Sequence, residues 1–600
     1  MAFRSVPRRF FDQAKVQPDA PAYALRRQGA WVTTDWLTFT RQVAETARAL
    51  MGLGLEPGDK VAIMGPNVPS WTIVDLAAMS AGCVPVGVYT TCSPGQAAYI
   101  LRHSEAKVVF LGGDDAAAKV SAERDSLPDL QHVVRMPEFE DTETGGTPWD
   151  EFLRAAEPVE PSALESRIDA ISEHDLGVLI YTSGTTGPPK GSMLTHGNMA
   201  AASDMGRELL PDSFMGARHL SYLPMAHAAE RALTVLGPVS FGYAVYYADS
   251  IDRMAENLKE VQPDLFLGVP RVWEKMHDGL LARLSLAKGG RARFITWARR
   301  IGLEVNTLRC DGEQPRGRLA WKYALAKRLL FAPIRKAVGL SRARVLISGA
   351  APLSADVLRD LASLDLPVRE LYGQTEDCGP TTNNRPGETR WGSVGRPFRG
   401  CEVRIADDSE ILVRGANVFA GYFKEEDATS EVLKDGWLYS GDLGHFDQDG
   451  YLYITGRKKE ILITAGGKNI APRNLEEALK RSPLIEEAVV LGDRQKYLAA
   501  LVTLRMGVTR NSLGIPDSAD PDPRTWLGLA DALWEHVQGI NLEFSQVEQI
   551  KRIAVLRASL SVEAGELTPS LKLRRSMIAD RHRDLIGRLY SADAPEVSFE

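Results

Sequence analysis

Short apolar runs alternate with longer stretches of helical periodicity through most of the first 400 residues. VAIMG (61–65) predicts a buried strand, and Trp71 to Ala81 the helix that follows it. VPVGVY (84–89), KVVFLG (107–112), GVLIY (177–181), YAVYYAD (243–249), LFLGV (265–269) and RVLISG (344–349) repeat the strand pattern, bounded by Gly or Pro. Continuous apolar strands alternating with helices predict parallel sheets covered on both faces. From about residue 391 the texture changes to short alternating runs with turn signals, EILVRG (410–415), DQDG (447–450) and YLYITG (451–456), which predict a β-rich subdomain. A charged run, Arg457-Lys458-Lys459-Glu460, then separates a smaller α/β pattern. The expected organisation is a large domain over 1–456, with its β-rich part at about 391–456, and a small domain over 457–600. The polar, Pro-rich stretch near 139–163 predicts a surface loop.

Six hundred residues exceed one hydrophobic core. With 44% hydrophobic and 25% charged residues, the composition excludes a disordered chain, a fibre and a disulfide-stapled miniprotein. A net charge of −7 argues against nucleic acid as a partner. Five scattered cysteines without C-x-x-C spacing fit a reducing cytosol and build no zinc site. No long apolar run predicts a membrane span, and no apolar stretch follows the basic N-terminus as in a signal peptide, so a cytoplasmic location is expected. One segment departs from this picture. Residues 281–345 hold 16 Lys or Arg against Glu304, Asp311 and Glu313, with Trp297, Trp321, Tyr323 and Phe331 interleaved. Such a segment suits either an anionic membrane surface or an ordinary solvated helical face.

The chemistry concentrates first in Tyr181-Thr-Ser-Gly-Thr-Thr-Gly-Pro-Pro-Lys190-Gly191, directly after a predicted strand. Gly184 and Gly187 let backbone N–H groups approach an anion. Thr182, Ser183, Thr185 and Thr186 add hydroxyl donors, and Lys190 adds charge. This is a phosphate-gripping loop without the G-x-x-x-x-G-K-[ST] spacing of a Walker loop.

YTSGTTGPPKG resembles the phosphate loop of the adenylate-forming enzymes, a superfamily that includes acyl-CoA synthetases, luciferases and nonribosomal-peptide adenylation domains. LPMAHAAER (223–231), SGAAPL (348–353), YGQTE (372–376), SGD (440–442), ITGRKKEILITAGGKNIAP (454–472) and ELTPSLKLRR (566–575) follow in that family's order. The resemblance implies a large domain of two doubly wound sheets plus the β-rich subdomain, followed by a small mobile domain with its hinge at Lys459. It implies a two-step reaction: a carboxylate attacks the α-phosphate of ATP to give an acyl-adenylate and pyrophosphate, and coenzyme A then displaces AMP. Thr182, Ser183, Thr185, Thr186 and Lys190 would hold the β- and γ-phosphates. Within Tyr372-Gly373-Gln374-Thr375-Glu376, Thr375 would meet the α-phosphate and Glu376 would hold Mg²⁺, a cation that prefers hard oxygens. Gly349, Ala350 and Ala351 would let adenine lie flat against the backbone, and Asp442 and Arg457 would reach the ribose or phosphate. His227 would orient the acyl carboxylate and line the pantetheine route. No base is needed there, because a carboxylate is already ionised at pH 7. Gly466 and Gly467 would leave room for the pantetheine arm, and Lys572 would bridge carboxylate and α-phosphate. Cys378 reads as a buried structural thiol.

Two positions depart from many relatives: Ser409 stands where Gly is common, and Leu571 precedes Lys572 where short-chain relatives carry Gly. The Leu-Lys form, LPMAH and TAGGKNIAP together look like the long-chain fatty acyl-CoA synthetase branch. The expectation is therefore a long-chain fatty acid–CoA ligase using ATP, Mg²⁺ and coenzyme A. A fatty acyl-AMP ligase serving a carrier protein, a ligase for a medium-chain or aryl acid, an amino-acid-activating domain and an inactive nucleotide-binding scaffold stand as alternatives. Two further partners stay open, an anionic membrane at the inner face through 281–345 and a second copy of the chain.

Overall fold

The computed structural model describes residues 3–139, 145–182, 188–210, 214–465, 468–516, 520, 522–562, 564–568, 572–591 and 593–600. The chain divides into two compact units. The first comprises 1–404, 412–440 and 446–453; the second takes 405–411, 441–445 and 454–600.

Two large sheets build the first unit. In one, strands His132–Arg135, Ala106–Leu111, Lys60–Met64, Val84–Val88 and Leu176–Thr182 run parallel, and Lys190–Thr195 closes the edge antiparallel to Leu176–Thr182. In the other, nine strands run in the order Arg396–Pro397, Thr382–Asn383, Arg369–Tyr372, Val345–Ser348, Leu265–Gly268, Arg218–Ser221, Ala244–Tyr247, Pro21–Arg27, Ala30–Asp35. Its middle is parallel and both ends are antiparallel. Val84–Val88, Ala244–Tyr247, Leu265–Gly268 and Val345–Ser348 are buried at every position, as strands covered on both faces must be. The apolar runs read from the sequence are these strands to within two residues. Helix Pro69–Ser80 is likewise buried all round, so it packs inside the unit and shows no polar face.

Three features correct the sequence reading. The stretch 139–163 is not all loop: helix Trp149–Arg154 lays Trp149 and Phe152 against Phe110, with ring centroids 5.9 and 5.2 Å away. Strand Lys190–Thr195 follows the phosphate loop where no strand was expected. Finally, the aromatics among the bases of 281–345 do not form a common surface. This segment folds as helices Gly289–Cys310, Gly317–Ala326 and Ala332–Ala337, and Tyr323 and Phe331 join a small core with Ala298, Ile301 and Val305. Only Trp321 stands out, 79% exposed.

The second unit is organised on strands Ile485–Leu491, Leu498–Leu504, Ile550–Val555 and Val597–Phe599. Alternate residues of its strands feed two cores. Val490, Ala500 and Val502 face helices Pro472–Leu479 and Leu529–Asn541; Val489, Ala499 and Leu501 face Ile578, Leu585 and Leu589. Among the described residues no helix is long and apolar enough to cross a membrane.

Candidate active site

In the first unit the chemistry-bearing residues gather where parallel strands end. Strand Leu176–Thr182 delivers Thr182, and the antiparallel register sets Lys190 directly opposite it. Ser183, Gly184, Thr185, Thr186 and Gly187 lie outside the described residues. Lys190 Nζ lies 3.9 Å from a Glu425 carboxylate oxygen and 5.2 Å from the centroid of the Tyr422 ring. The Tyr422 hydroxyl in turn donates to Glu376 Oε1 at 2.8 Å. Tyr422 is brought there by backbone pairing: Phe423 N–H donates to Gly191 O, Met193 N–H to Gly421 O, and Phe419 N–H to Glu376 O, all at 2.8–2.9 Å. The phosphate-loop lysine and the expected metal ligand therefore meet on one tyrosine.

Glu376 sits in a short turn, Thr375–Asp377, after strand Arg369–Tyr372. Gly373 must be glycine, because a Cβ there would lie 1.5 Å from Gly379 O. Gln374 Nε2 donates to Ser440 O at 2.9 Å. Asp377, fully buried, accepts from Gln374 N at 2.7 Å, Gly379 N at 3.2 Å and the Thr381 hydroxyl. No cation offsets its burial, which pushes its carboxyl up to about 7. Cys378 is buried too and its thiol is pushed up to about 12 by burial, the environment of an inert thiol. Strand Val345–Ser348 ends on buried Gly349; Ala350 follows with φ +69° and Ala351 is exposed.

His227 caps helix Ala228–Arg231, its Nδ1 accepting from Ala229 N–H at 3.2 Å. The segment before it is tied down on three sides. Asn67 donates to Ser221 Oγ and Leu223 O, Glu230 accepts from Leu223 N–H, and Gly87 leaves no room for a Cβ against Ala226. The buried Arg231 guanidinium grips Asp75 of helix Pro69–Ser80 through both carboxylate oxygens. Burial raises the Asp75 carboxyl and Arg231 opposes the rise.

In the second unit Asp442 and Arg457 are brought together: Arg457 Nε donates to Asp442 Oδ1 at 2.8 Å. Lys458 Nζ donates to Asp408 Oδ2 at 2.6 Å and Glu410 Oε2 at 2.8 Å, contacts that raise its pKa, and Glu410 also accepts from Gly441 N–H. Ser409, between those two acids, has φ +69°, the left-handed conformation that glycine adopts without strain. Lys459 is exposed within the turn Lys458–Glu460. Gly466 and Gly467 lie outside the described residues. Lys572 pairs with Thr568: its N–H donates to Thr568 Oγ1 at 2.9 Å and its carbonyl accepts from Thr568 N–H at 2.8 Å. The next turn is anchored by Arg575, gripped by the buried Glu476 carboxylate.

The donor set suits magnesium. Among the described residues no cluster of three His, Cys, Asp or Glu could cage a metal. Among the described residues the Glu376 carboxylate is engaged through Oε1, which leaves Oε2 for a cation that keeps its waters and takes its other ligands from phosphate.

Sequence reasoning did not find Tyr422, Glu425, Asp75, Glu230 or Arg231 as parts of this site. Glu230 and Arg231 lay inside the motif that carries His227, a signal available in the sequence. Tyr422 and Asp75 come from distant segments and carried none.

The chain belongs to the AMP-binding enzyme family. The family's model matches residues 10–423, and that of the AMP-binding enzyme C-terminal domain matches 459–594. It is similar to the long-chain-fatty-acid–CoA ligase ACSBG2 of Xenopus laevis, 34% identical over 97% of this chain and 83% of that protein. It is equally similar to the long-chain-fatty-acid–CoA ligase FadD15 of Mycobacterium bovis, 34% identical over 97% of this chain and 96% of that one. In fold it resembles the adenylation domain of a carboxylate reductase from Mycobacterium chelonae, with a TM-score of 0.74 and 22% identity over 98% and 92% of the two chains. A Mycobacterium tuberculosis fatty acyl CoA synthetase superposes with a TM-score of 0.62 at 20% identity, over 97% and 99%.

Proposed function

We propose that this chain is a long-chain fatty acid–CoA ligase: it joins a fatty acid to AMP with release of pyrophosphate, then passes the acyl group to coenzyme A. The observation that carries the reading is the Lys190–Tyr422–Glu376 cluster at the strand ends, within a chain whose long-chain ligase relatives align over nearly its whole length.

An anionic carboxylate meeting a triphosphate needs its surroundings to neutralise charge in the transition state. Thr182, Ser183, Gly184, Thr185, Thr186, Gly187 and Lys190 hold the β- and γ-phosphates, with Glu425 and Tyr422 aiming the ammonium group. Thr375 meets the α-phosphate. Glu376 would hold Mg²⁺, which when bound would supply further charge neutralisation. Gly349 to Ala351 seat the adenine, and Asp442 and Arg457 the ribose. His227, held at the head of its helix, orients the carboxylate. Lys572 bridges carboxylate and α-phosphate in the first step and withdraws for the second, with the small domain over 457–600 turning about Lys459. Gly466 and Gly467 leave the narrow path that pantetheine needs.

The test is a scan of free carboxylic acids from short to long chain, read by pyrophosphate release and then by thioester formation with free coenzyme A. Long-chain acids should give both products. Adenylate without thioester would favour the carrier-protein reading, a preference for short or aryl acids would move the substrate class, and no pyrophosphate with any acid would mark a scaffold.

Docking at an anionic membrane surface is part of the same reading. Trp321, Leu325 and Leu329, four residues apart, are 79, 46 and 55% exposed, and Arg318, Lys322 and Arg328 beside them are exposed as well. An apolar stripe bordered by cations matches the interface of an acidic bilayer, where each base adds about 1 kcal/mol. Trp321→Ser/Leu325→Ser should reduce co-sedimentation with phosphatidylglycerol vesicles, and binding that ignores both lipid charge and these substitutions would remove the membrane from this account. A cytoplasmic protein meeting the inner face of the membrane follows from this reading. Light scattering on the purified chain reads whether a second copy is a partner.

A further inference from the structure

A second cluster of charge lies in the first unit, apart from the residues that the ligase reading assigns to nucleotide, acid and coenzyme A. Helices Gly289–Cys310, Gly317–Ala326 and Ala332–Ala337, the π-helical segment Lys327–Phe331 and two loops line a cleft of about 370 Å³. Five basic side chains line it, Arg309, Lys327, Arg335, Arg342 and Arg344, against one acid, Asp365.

Among the described residues two carboxylates pair with these bases. Arg309 lies 3.3 Å from Asp365, whose same oxygen accepts the Tyr323 hydroxyl at 2.8 Å. Arg342 and Arg344 share Asp264, at 3.2 and 3.5 Å. Arg335 has backbone partners instead, donating to Asp365 O at 2.8 Å and Ala343 O at 2.5 Å, and burial pulls its pKa down. Lys327 is exposed and makes no ion pair among the described residues. Among the described residues the lining thus carries five cations against Asp365, with Asp264 beside it. The carbonyls that hold the half-buried Arg335 satisfy its donors but leave its charge for an anion to answer. Forked guanidinium donors combined with a mobile ammonium are the groups that bind phosphoryl oxygens.

The cleft is also well separated from the nucleotide motifs. Arg342 and Arg344 immediately precede strand Val345–Ser348, and Asp365 shortly precedes strand Arg369–Tyr372. Gly349 to Ala351 and Gly373 to Glu376 follow the opposite ends of those strands. Four residues of strand span about 13 Å at roughly 3.3 Å each.

We propose that this cleft is a second anion site, which binds a phosphoryl-bearing ligand of two or more negative charges. Either a soluble polyphosphate or the headgroup of a phosphomonoester lipid carries that chemistry, and the two sources are separable. The full-length protein carrying Lys190→Ala, with its phosphate loop weakened, is titrated with tripolyphosphate by calorimetry and co-sedimented with vesicles containing phosphatidic acid. Lys327→Glu is added on the same background; it reverses a charge without an internal partner, so circular dichroism and thermal unfolding should not change. Tripolyphosphate should bind at one site, and Lys327→Glu should weaken it at least tenfold, with Arg335→Gln acting in the same direction. With Trp321→Ser/Leu325→Ser also in place, vesicle binding that tripolyphosphate competes away and Lys327→Glu abolishes assigns the site to a lipid headgroup; a response to tripolyphosphate alone assigns it to a soluble anion. Absence of binding to both probes, or equal binding with and without Lys327→Glu, overturns the proposal.

Discussion

The loop over 223–231 and the loop over 372–381 both follow strands of the nine-stranded sheet, and each presents one reactive-type side chain beside a buried acid. They close those acids differently. Behind His227, Asp75 is answered by a full charge, the two-pronged grip of Arg231, in a place where neither group reaches water. Beside Glu376, Asp377 is answered only by neutral donors, two backbone N–H groups and a hydroxyl, and its carboxyl rises to about 7. One loop is locked by a charge pair that fails badly if halved; the other is locked by a group whose proton depends on pH. Adjacent acids can also divide their labour. Asp377 points into the protein and holds the turn, while Glu376 points outward with one oxygen engaged by Tyr422.

Halving the charge pair should have the largest effect. Arg231→Met leaves Asp75 buried without its cation and should cost about 3–5 kcal/mol of stability. Denaturant melts measure it, and Asp75→Asn added to that variant should recover part of the loss. A loss below about 1 kcal/mol would mean that the pair does not lock the loop.

Glu376→Gln separates chemistry from scaffold in the other loop. Adenylation should fall about 10²–10³-fold while the melting temperature stays the same. A comparable loss of stability would place Glu376 with Asp377 as a structural acid.

Asp377→Asn tests the neutral closure through pH. An ordinary aspartate titrates near 3.8 and the folded Asp377 near 7, so between these values the folded chain holds a proton that the unfolded chain has released. That contribution to stability is fully present below about 3.8 and is lost as pH rises towards 7. Asparagine imitates the protonated carboxyl, so the variant should gain on the parent as pH rises from 4 to 8. A constant difference in melting temperature across that range would contradict the account.

Tyr422→Phe should have the smallest effect. Removing one hydrogen bond to Glu376 costs about 1 kcal/mol, roughly fivefold in adenylation rate. Unchanged kinetics would show that Tyr422 does not orient the carboxylate.

Much of this was legible in the chain, for physical reasons that differ by element. Val84–Val88 and Val345–Ser348 are buried on both faces, so their apolar runs are unbroken and easy to read. Strand Lys190–Thr195, KGSMLT, has no such signature; it is a strand because Leu176–Thr182 and the distant segment 419–423 pair with its backbone. Helix Trp149–Arg154 was hidden by polar neighbours, although Trp149 and Phe152 carried the signal of a packed face. The motif residues were legible because each reactive type sits in a short stereotyped turn. The residues that aim them were not, because contacts such as Tyr422 to Glu376 join segments 46 positions apart. The interleaving of aromatics with bases in 281–345 did not show depth: periodicity along the helices sends Tyr323 and Phe331 inward and leaves Trp321 outside.

The central claim is that the chain activates a carboxylate by adenylation, and Lys572→Ala tests it most directly. Lys572 is paired through its backbone with Thr568, more than a hundred residues beyond Lys459, and it should act in the first half-reaction alone. Pyrophosphate release with a long-chain fatty acid should fall about 10²–10³-fold, whereas conversion of supplied acyl-adenylate and coenzyme A to thioester should remain near the parent rate. Near-normal pyrophosphate release by this variant would contradict the account.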